Sequence, residues 1–182
     1  MRPEQTADAA ASLRLAQPAD AAAIGDLHVR SWQVAYRGIV PDAILDGLSI
    51  AQRVEFWTRV LGRSSAEPAR DGRTWVIEDA GTVVGFASTR PSREDDTPPG
   101  TGELHSIYLA PEAWSRGLGS RLLATAVDDL RERGFGPLVL WVIEANLRGR
   151  QFYERAGWRP DGGRQPIDFD GVPVDEIRYR LG

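Results

Sequence analysis

The sequence predicts an α/β domain, and three observations carry that prediction. A strand-type pattern bounded by turn residues occupies 74–87, a helical period runs through 120–133, and Leu138 to Ile143 is unbroken apolar sequence. The 182 residues are enough for one hydrophobic core without cross-links. Hydrophobic residues make up 42% and charged residues 26%, the balance of a globular chain.

Each element has its own local reason. Residues 1–11, rich in alanine and polar groups, read as a disordered tail, and 12–182 as a single folded domain. Ser12 to Leu15 is a short strand. Pro18-Ala19-Asp20 opens a helix to about Tyr36, with Ile24, Leu27, Ser31 and Ala35 on one face. Gly38 and Pro41-Asp42 break the chain, and Ser49 caps a second helix carrying Val54, Trp57 and Leu61. Arg63 to Arg73 is polar loop. Thr74 to Glu78 and Thr82 to Ala87 form a hairpin turned at Asp79-Ala80-Gly81. Pro91 to Gly102, rich in proline and acid, reads as a solvated connector. Glu103 to Leu109 is a strand. Ser120 to about Arg133 is a helix whose Leu122, Leu123, Ala126, Val127 and Leu130 form an apolar stripe ended by Gly134. After the buried strand at Leu138, a helix spans Leu147 to Ala156 and stops at Gly157. Two final strands flank Asp168 to Gly171, the last from Asp175 to Leu181.

Composition excludes much chemistry. All 22 basic residues are arginine. Without lysine there is no P-loop lysine and no Schiff base. Without cysteine there is no thiol nucleophile, disulfide, thiolate-bound zinc or iron–sulfur cluster. His28 and His105 stand far apart in no ligand spacing, so no metal is expected. A net charge of −4 argues against a nucleic-acid partner. Met1 to Ser12 lacks the apolar core of a signal peptide, and no run reaches membrane-spanning length. The expectation is a cytoplasmic protein with no membrane partner.

The informative segment joins a strand to a helix: Leu109-Ala110-Pro111-Glu112-Ala113-Trp114-Ser115-Arg116-Gly117-Leu118-Gly119-Ser120. Glycines before a helix let the backbone approach a ligand, and the first-turn amides point outward at the positive end of the dipole. That suits a phosphate or pyrophosphate, although a plain strand-to-helix connection looks the same. A dinucleotide fingerprint would require glycine at 122, where Leu122 stands, and would follow the first strand, whereas four strand candidates come earlier.

The block from Gly102 to Trp158 resembles the acetyl-CoA-binding core of the GNAT family of N-acetyltransferases. That family's loop reads Gln/Arg-x-x-Gly-x-Gly/Ala, matched by Trp114-Ser115-Arg116-Gly117-Leu118-Gly119 with Trp114 as the departure. Its second signature, Asn followed seven residues later by Tyr and then a Gly-aromatic pair, stands as Asn146, Tyr153 and Gly157-Trp158. The segment from His28 to Gly38 is similar to the N-terminal helix of bacterial members. The resemblance implies an α/β (α+β) fold with a mixed, mostly antiparallel sheet of six or seven strands flanked by about four helices.

It also implies a site. Backbone groups of Ile107 and Leu109 would meet the pantetheine arm and the acetyl carbonyl. The amides from Arg116 through Gly117, Leu118 and Gly119 to Ser120 would hold the pyrophosphate, with the Arg116 side chain neutralising phosphate charge. Asn146 would meet the pantetheine or acetyl amide, or else cap its helix. Tyr153 would protonate the departing thiolate. Glu103 would act as base, directly or through water, and simple alternation puts Glu103, His105 and Ile107 on one face. Trp32, Tyr36 and His105 would line the acceptor cleft. The acidic residues Asp168, Asp170, Asp175 and Glu176 are a weak pointer to a cationic acceptor. The co-substrate implied is acetyl-CoA, and the partner a small-molecule or peptide amine, with a homodimer as the assembly the family often adopts. A non-catalytic acyl-CoA-binding or sensing module on the same fold is the rival, and Tyr153, Asn146 and Glu103 together favour the enzyme.

Overall fold

The computed structural model describes residues 11–66 and 72–182. The remainder of the expected tail, 1–10, lies outside the described residues. Ala11 belongs to the packed structure: it is buried, and its carbonyl accepts a bond from Arg121 Nη2 at 2.6 Å. The chain then runs β1 (Ser12–Leu15), α1 (Ala21–Ala35), α2 (Asp42–Asp46), α3 (Ile50–Ala66), β2 (Arg73–Asp79), β3 (Thr82–Pro91) and β4 (Gly102–Leu109). It continues through α4 (Leu118–Glu132), β5 (Leu138–Ile143), α5 (Leu147–Arg155), β6 (Arg159–Phe169) and β7 (Val172–Leu181).

The seven strands form one sheet in the order β1-β2-β3-β4-β5-β7-β6. Every neighbouring pair is antiparallel except β4 and β5, which makes the sheet mixed and mostly antiparallel, as expected. The fifth helix is α2, a single turn after Pro41 where the sequence suggests only a break; five residues are too few to show a helical period. Strand β3 continues to Pro91, past the polar residues that end its sequence pattern, because their side chains have partners inside. Ser88 Oγ lies 3.0 Å from Thr74 Oγ1, and Thr89 Oγ1 donates to Asp129 on α4 at 3.3 Å.

Helices α1 and α3 cover one face of the sheet, where His28, Trp57, Phe86 and Tyr108 form an aromatic cluster. Helix α4 covers the other, burying Leu122, Leu123, Ala126, Val127 and Leu130, the stripe read from the sequence. Asp129 breaks that stripe yet is buried, because Arg73 on β2 (2.7 Å) and Arg133 (3.2 Å) neutralise it.

Two features position the site. The β4–β5 ladder has only two rungs, Gly102↔Leu138 and Glu103↔Val139, and then the strands part. Gly102 permits the pairing, since a Cβ there would come within 3.0 Å of Phe135, Leu130 and Leu138. The second feature is a bulge: Thr89 pairs with Leu104 and Ser88 with Ser106, so His105 is the extra residue. It overturns the expected shared face. Glu103 faces Arg90 on the α1/α3 side, as does Tyr108 opposite Phe86, while Ile107 turns to the α4 side.

The expected connector is also docked rather than solvated throughout. Asp96 makes a two-pronged bond to buried Arg178 on β7 (2.6 and 2.8 Å), and Trp141 Nε1 donates to Glu94 at 3.3 Å.

Buried His28 gives a test of this packing. Its Nδ1 accepts the Trp57 indole N–H at 3.1 Å, and burial, helped by the nearby charge of Arg53, lowers its pKa to about 3. The neutral ring is therefore favoured in the folded state, so its contribution is complete above the unfolded value of 6.5 and is lost as pH falls toward 3. Urea unfolding should show stability declining over that window with a contribution from this one group of up to about 1.4 kcal/mol per pH unit. His28→Gln should remove that contribution; an identical pH slope in the variant would count against it.

Candidate active site

The parted strands open a cleft of about 1220 Å³ that reaches both faces of the sheet. Its inner edge is β4. The Val84–Ala110 hydrogen bond sets the antiparallel phase, in which Tyr108 and Ala110 bond to β3 and the backbone groups of Ile107 and Leu109 point away from it. Because β5 has already diverged, no strand takes those groups. The Leu109 carbonyl has other partners, Ser31 Oγ and Trp114 Nε1, both at 2.9 Å. The amide edge at Ile107 and Leu109 is what the cleft offers.

At one end lies the turn before α4. Ser115 (φ 61°) and Gly117 (φ 77°) both adopt left-handed backbone, which tightens the turn and aims the following amides outward. The first amide to find a backbone acceptor is that of Arg121, on the Gly117 carbonyl. Among the described residues, the amides of Arg116, Gly117, Leu118, Gly119 and Ser120 donate to no backbone carbonyl. This is an anion cradle. Several arginines near it already have partners. Arg116 pairs with Asp79 at 2.7 Å, Arg121 holds Ala11, and Arg150 bonds Tyr179 and the Glu144 carbonyl. Arg148 instead stacks on Trp114, 3.8 Å from the ring centroid. Trp114, where the family pattern has Gln or Arg, thus carries a guanidinium on its face at the rim of the cradle.

Across the opening, α5 begins at Asn146, whose Oδ1 accepts from the Gly149 amide at 3.0 Å. The cap engages Oδ1 once and leaves the amide nitrogen of Asn146 available to a ligand. Tyr153 projects into the cleft, and burial raises its phenol above the usual value, which keeps it protonated.

The other end is built on the α1/α3 side. Tyr36 Oη lies 3.2 Å from Tyr108 Oη, and Trp32 stands edge-on to Tyr36 at 5.1 Å. Sequence reasoning singled out Trp32 and Tyr36 but missed Tyr108, which only the bulge at His105 brings to this face. Glu103 is buried, with both oxygens held by Arg90 at 2.8 Å and Oε1 also 3.1 Å from His105 Nδ1. Burial opposes its charge, but the bonds from His105 and Arg90 prevail, and its carboxyl sits below the ordinary value. His105 is half-exposed. Glu176 on β7 has the opposite electrostatics: burial raises its carboxyl, and neither the 3.4 Å bond from Gln165 nor nearby His105 offsets it. The sequence offered Glu176 only as one of four acids pointing to a cationic acceptor; the β5–β7 register, Ile143↔Glu176, brings it to the cleft.

Replacing Asn146 by Ala should cost about 1 kcal/mol in chemical unfolding by removing the α5 cap. A loss under a few tenths would mean that the cap is dispensable.

Comparison with known proteins agrees with this geometry. The profile of the Acetyltransferase (GNAT) family matches residues 42–158. YuaI of Bacillus subtilis (strain 168), named as an uncharacterized N-acetyltransferase, is 33% identical over 136 residues, covering 74% of this chain and 73% of that one. The PaiA N-acetyltransferase of Thermoplasma acidophilum, solved with coenzyme A, superposes with a TM-score of 0.70 at 21% identity, covering 92% of this chain and 98% of that one. YncA of Salmonella typhimurium, solved with acetyl-CoA, gives 0.69 at 23% identity over 94% and 93%. Sequence profile, relative and fold converge on one assignment: the chain belongs to the GNAT family and is an N-acetyltransferase.

Proposed function

We propose that residues 12–182 form one domain that transfers an acetyl group from acetyl-CoA directly to a primary amine of a small molecule or peptide, within a ternary complex. The observation that carries this reading is the cleft itself, with an unclaimed β4 amide edge joined to an outward-facing amide cradle at α4. Two fold neighbours were solved with coenzyme A or acetyl-CoA, which supports the choice of co-substrate.

Acetyl-CoA supplies an activated thioester. The amides of Arg116, Gly117, Leu118, Gly119 and Ser120 hold the pyrophosphate, and the Arg148–Trp114 stack flanks it. The free amides of Ile107 and Leu109 orient the pantetheine and polarise the thioester oxygen, a contribution of the oxyanion-hole type. Asn146 offers its amide nitrogen to the same arm. As the amine nitrogen bonds to the carbonyl carbon and the carbon–sulfur bond breaks, Tyr153 donates a proton to the thiolate. The amine's proton goes to His105, which Glu103 orients. Clamped by Arg90, Glu103 is a positioning carboxylate, and its base role is exercised through His105. Trp32 and Tyr36 wall the acceptor.

Three measurements test the scheme. Acetyl-CoA at 100 times its Kd should raise unfolding stability by about 2.7 kcal/mol, whereas NAD and ATP should give no shift. Tyr153→Phe should retain acetyl-CoA affinity while losing about 10²-fold in kcat. Glu103→Gln should alter the pH–rate profile along with its amplitude; an unchanged profile would end its part in proton removal.

A further inference from the structure

The acceptor end of the cleft has two electrostatic poles. On the β4/β7 side stand the Glu103–His105 pair and Glu176. On the helix side stands Arg53 of α3. Its guanidinium lies 5.9 Å from the Trp32 ring centroid and 5.7 Å from that of Phe56, and among the described residues no carboxylate pairs with it. Among other arginines lining the cleft, Arg73 and Arg90 are each ion-paired, Arg148 stacks on Trp114, and Arg93 is exposed to water, which half-buried Arg53 is not. Half-buried on aromatic faces, Arg53 has lost water without gaining a counter-charge, the situation in which a guanidinium binds an anion well. Tyr108 also lines the cleft; burial chiefly raises its phenol, with Glu176 adding to the rise and Arg53 opposing it.

A second donor accompanies Arg53. His28 also lines the cleft; its Nδ1 accepts from Trp57, so the neutral ring carries its proton on Nε2. That nitrogen is buried and has no partner among the described residues. A carboxylate on this side would meet both a full positive charge and an unsatisfied N–H.

We propose that the acceptor is a small zwitterion: its amine sits between Glu176 and the Glu103–His105 pair, and its carboxylate pairs with Arg53. This rests on the N-acetyltransferase reading and narrows it to amines that carry an anionic group, such as free amino acids. Glu176 attracts the cationic amine as it arrives, and Arg53 fixes the far end so that the nitrogen meets the thioester. Specificity follows because an amine without the carboxylate leaves Arg53 desolvated and unpaired.

The test uses the full chain with acetyl-CoA and follows free thiol release. The acceptors are the common L-amino acids, their primary amides and the corresponding decarboxylated amines. At least one amino acid should exceed its own amide and amine by 10-fold to 100-fold in kcat/KM. Arg53→Gln should raise KM for that amino acid tenfold or more, leave kcat within about twofold, and not change KM for the amides or the affinity for acetyl-CoA. Arg53→Lys should restore part of the loss. Equal or better turnover of amides and simple amines by the wild-type protein would overturn the zwitterion proposal while leaving amine acetylation intact, and this arm decides even if the variants fold poorly. Arg53→Gln lowering all acceptors alike would also overturn it. Bound acetyl-CoA with thiol release for none of these amines would overturn both this proposal and small-amine transfer.

Discussion

The divergence of β4 from β5 after two rungs is the constraint on which the rest of the structure depends. A parallel pair that continued would have paired the amides of Ile107 and Leu109 and left no cleft. Separation leaves backbone donors unpaired in the middle of a sheet, which is unfavourable unless a ligand or water meets them. The sheet tolerates it because its two halves are secured elsewhere. Asp129 ties α4 to β2, and Arg178 ties β7 to both Asp161 and the docked loop through Asp96.

The bulge at His105 adds the second element of the design. By inserting one residue it keeps Glu103 on the α1/α3 side, places Tyr108 there too, and sends Ile107 and Leu109 toward α4. On the proposed reading the strand would serve two chambers: side chains for the acceptor on one face, apolar packing on the other, and backbone between them for the acyl donor. The buried Glu103 carboxylate is sustainable only because Arg90 matches both its oxygens and His105 adds a third contact.

Local signals were legible, and tertiary ones were not. The apolar stripe of α4, the hairpin at Asp79-Ala80-Gly81, the Ser49 cap and the Gly117-x-Gly119 turn each depend on residues close in sequence, and each appears where the pattern put it. The Ser49 hydroxyl, for example, accepts the Gln52 amide. Alternation along β4 misled because a bulge requires no distinctive residue; His105 does not announce it. Glu176 and Arg53 reach the cleft through the β5–β7 register and the seating of α3. Those relations join positions more than twenty residues apart, beyond the window in which a local pattern can be read. The acidic connector looked solvated for the same reason: its partners, Arg178 and Trp141, follow it by more than forty residues.

Among the described residues, every ion pair apart from His105–Glu103 is made by arginine, including those at Asp20, Asp129, Asp161 and Glu103 itself. A guanidinium stays charged and is a very poor nucleophile toward thioesters. A framework of lysines would be exposed to the reagent that an N-acetyltransferase keeps at hand, and each stray modification would erase one of its own charges. Here the scaffold holds no side-chain amine at all. Long residence beside an acylating agent therefore leaves its electrostatic skeleton intact, and radiolabel accumulating in a reaction cannot have been deposited on lysines of the enzyme.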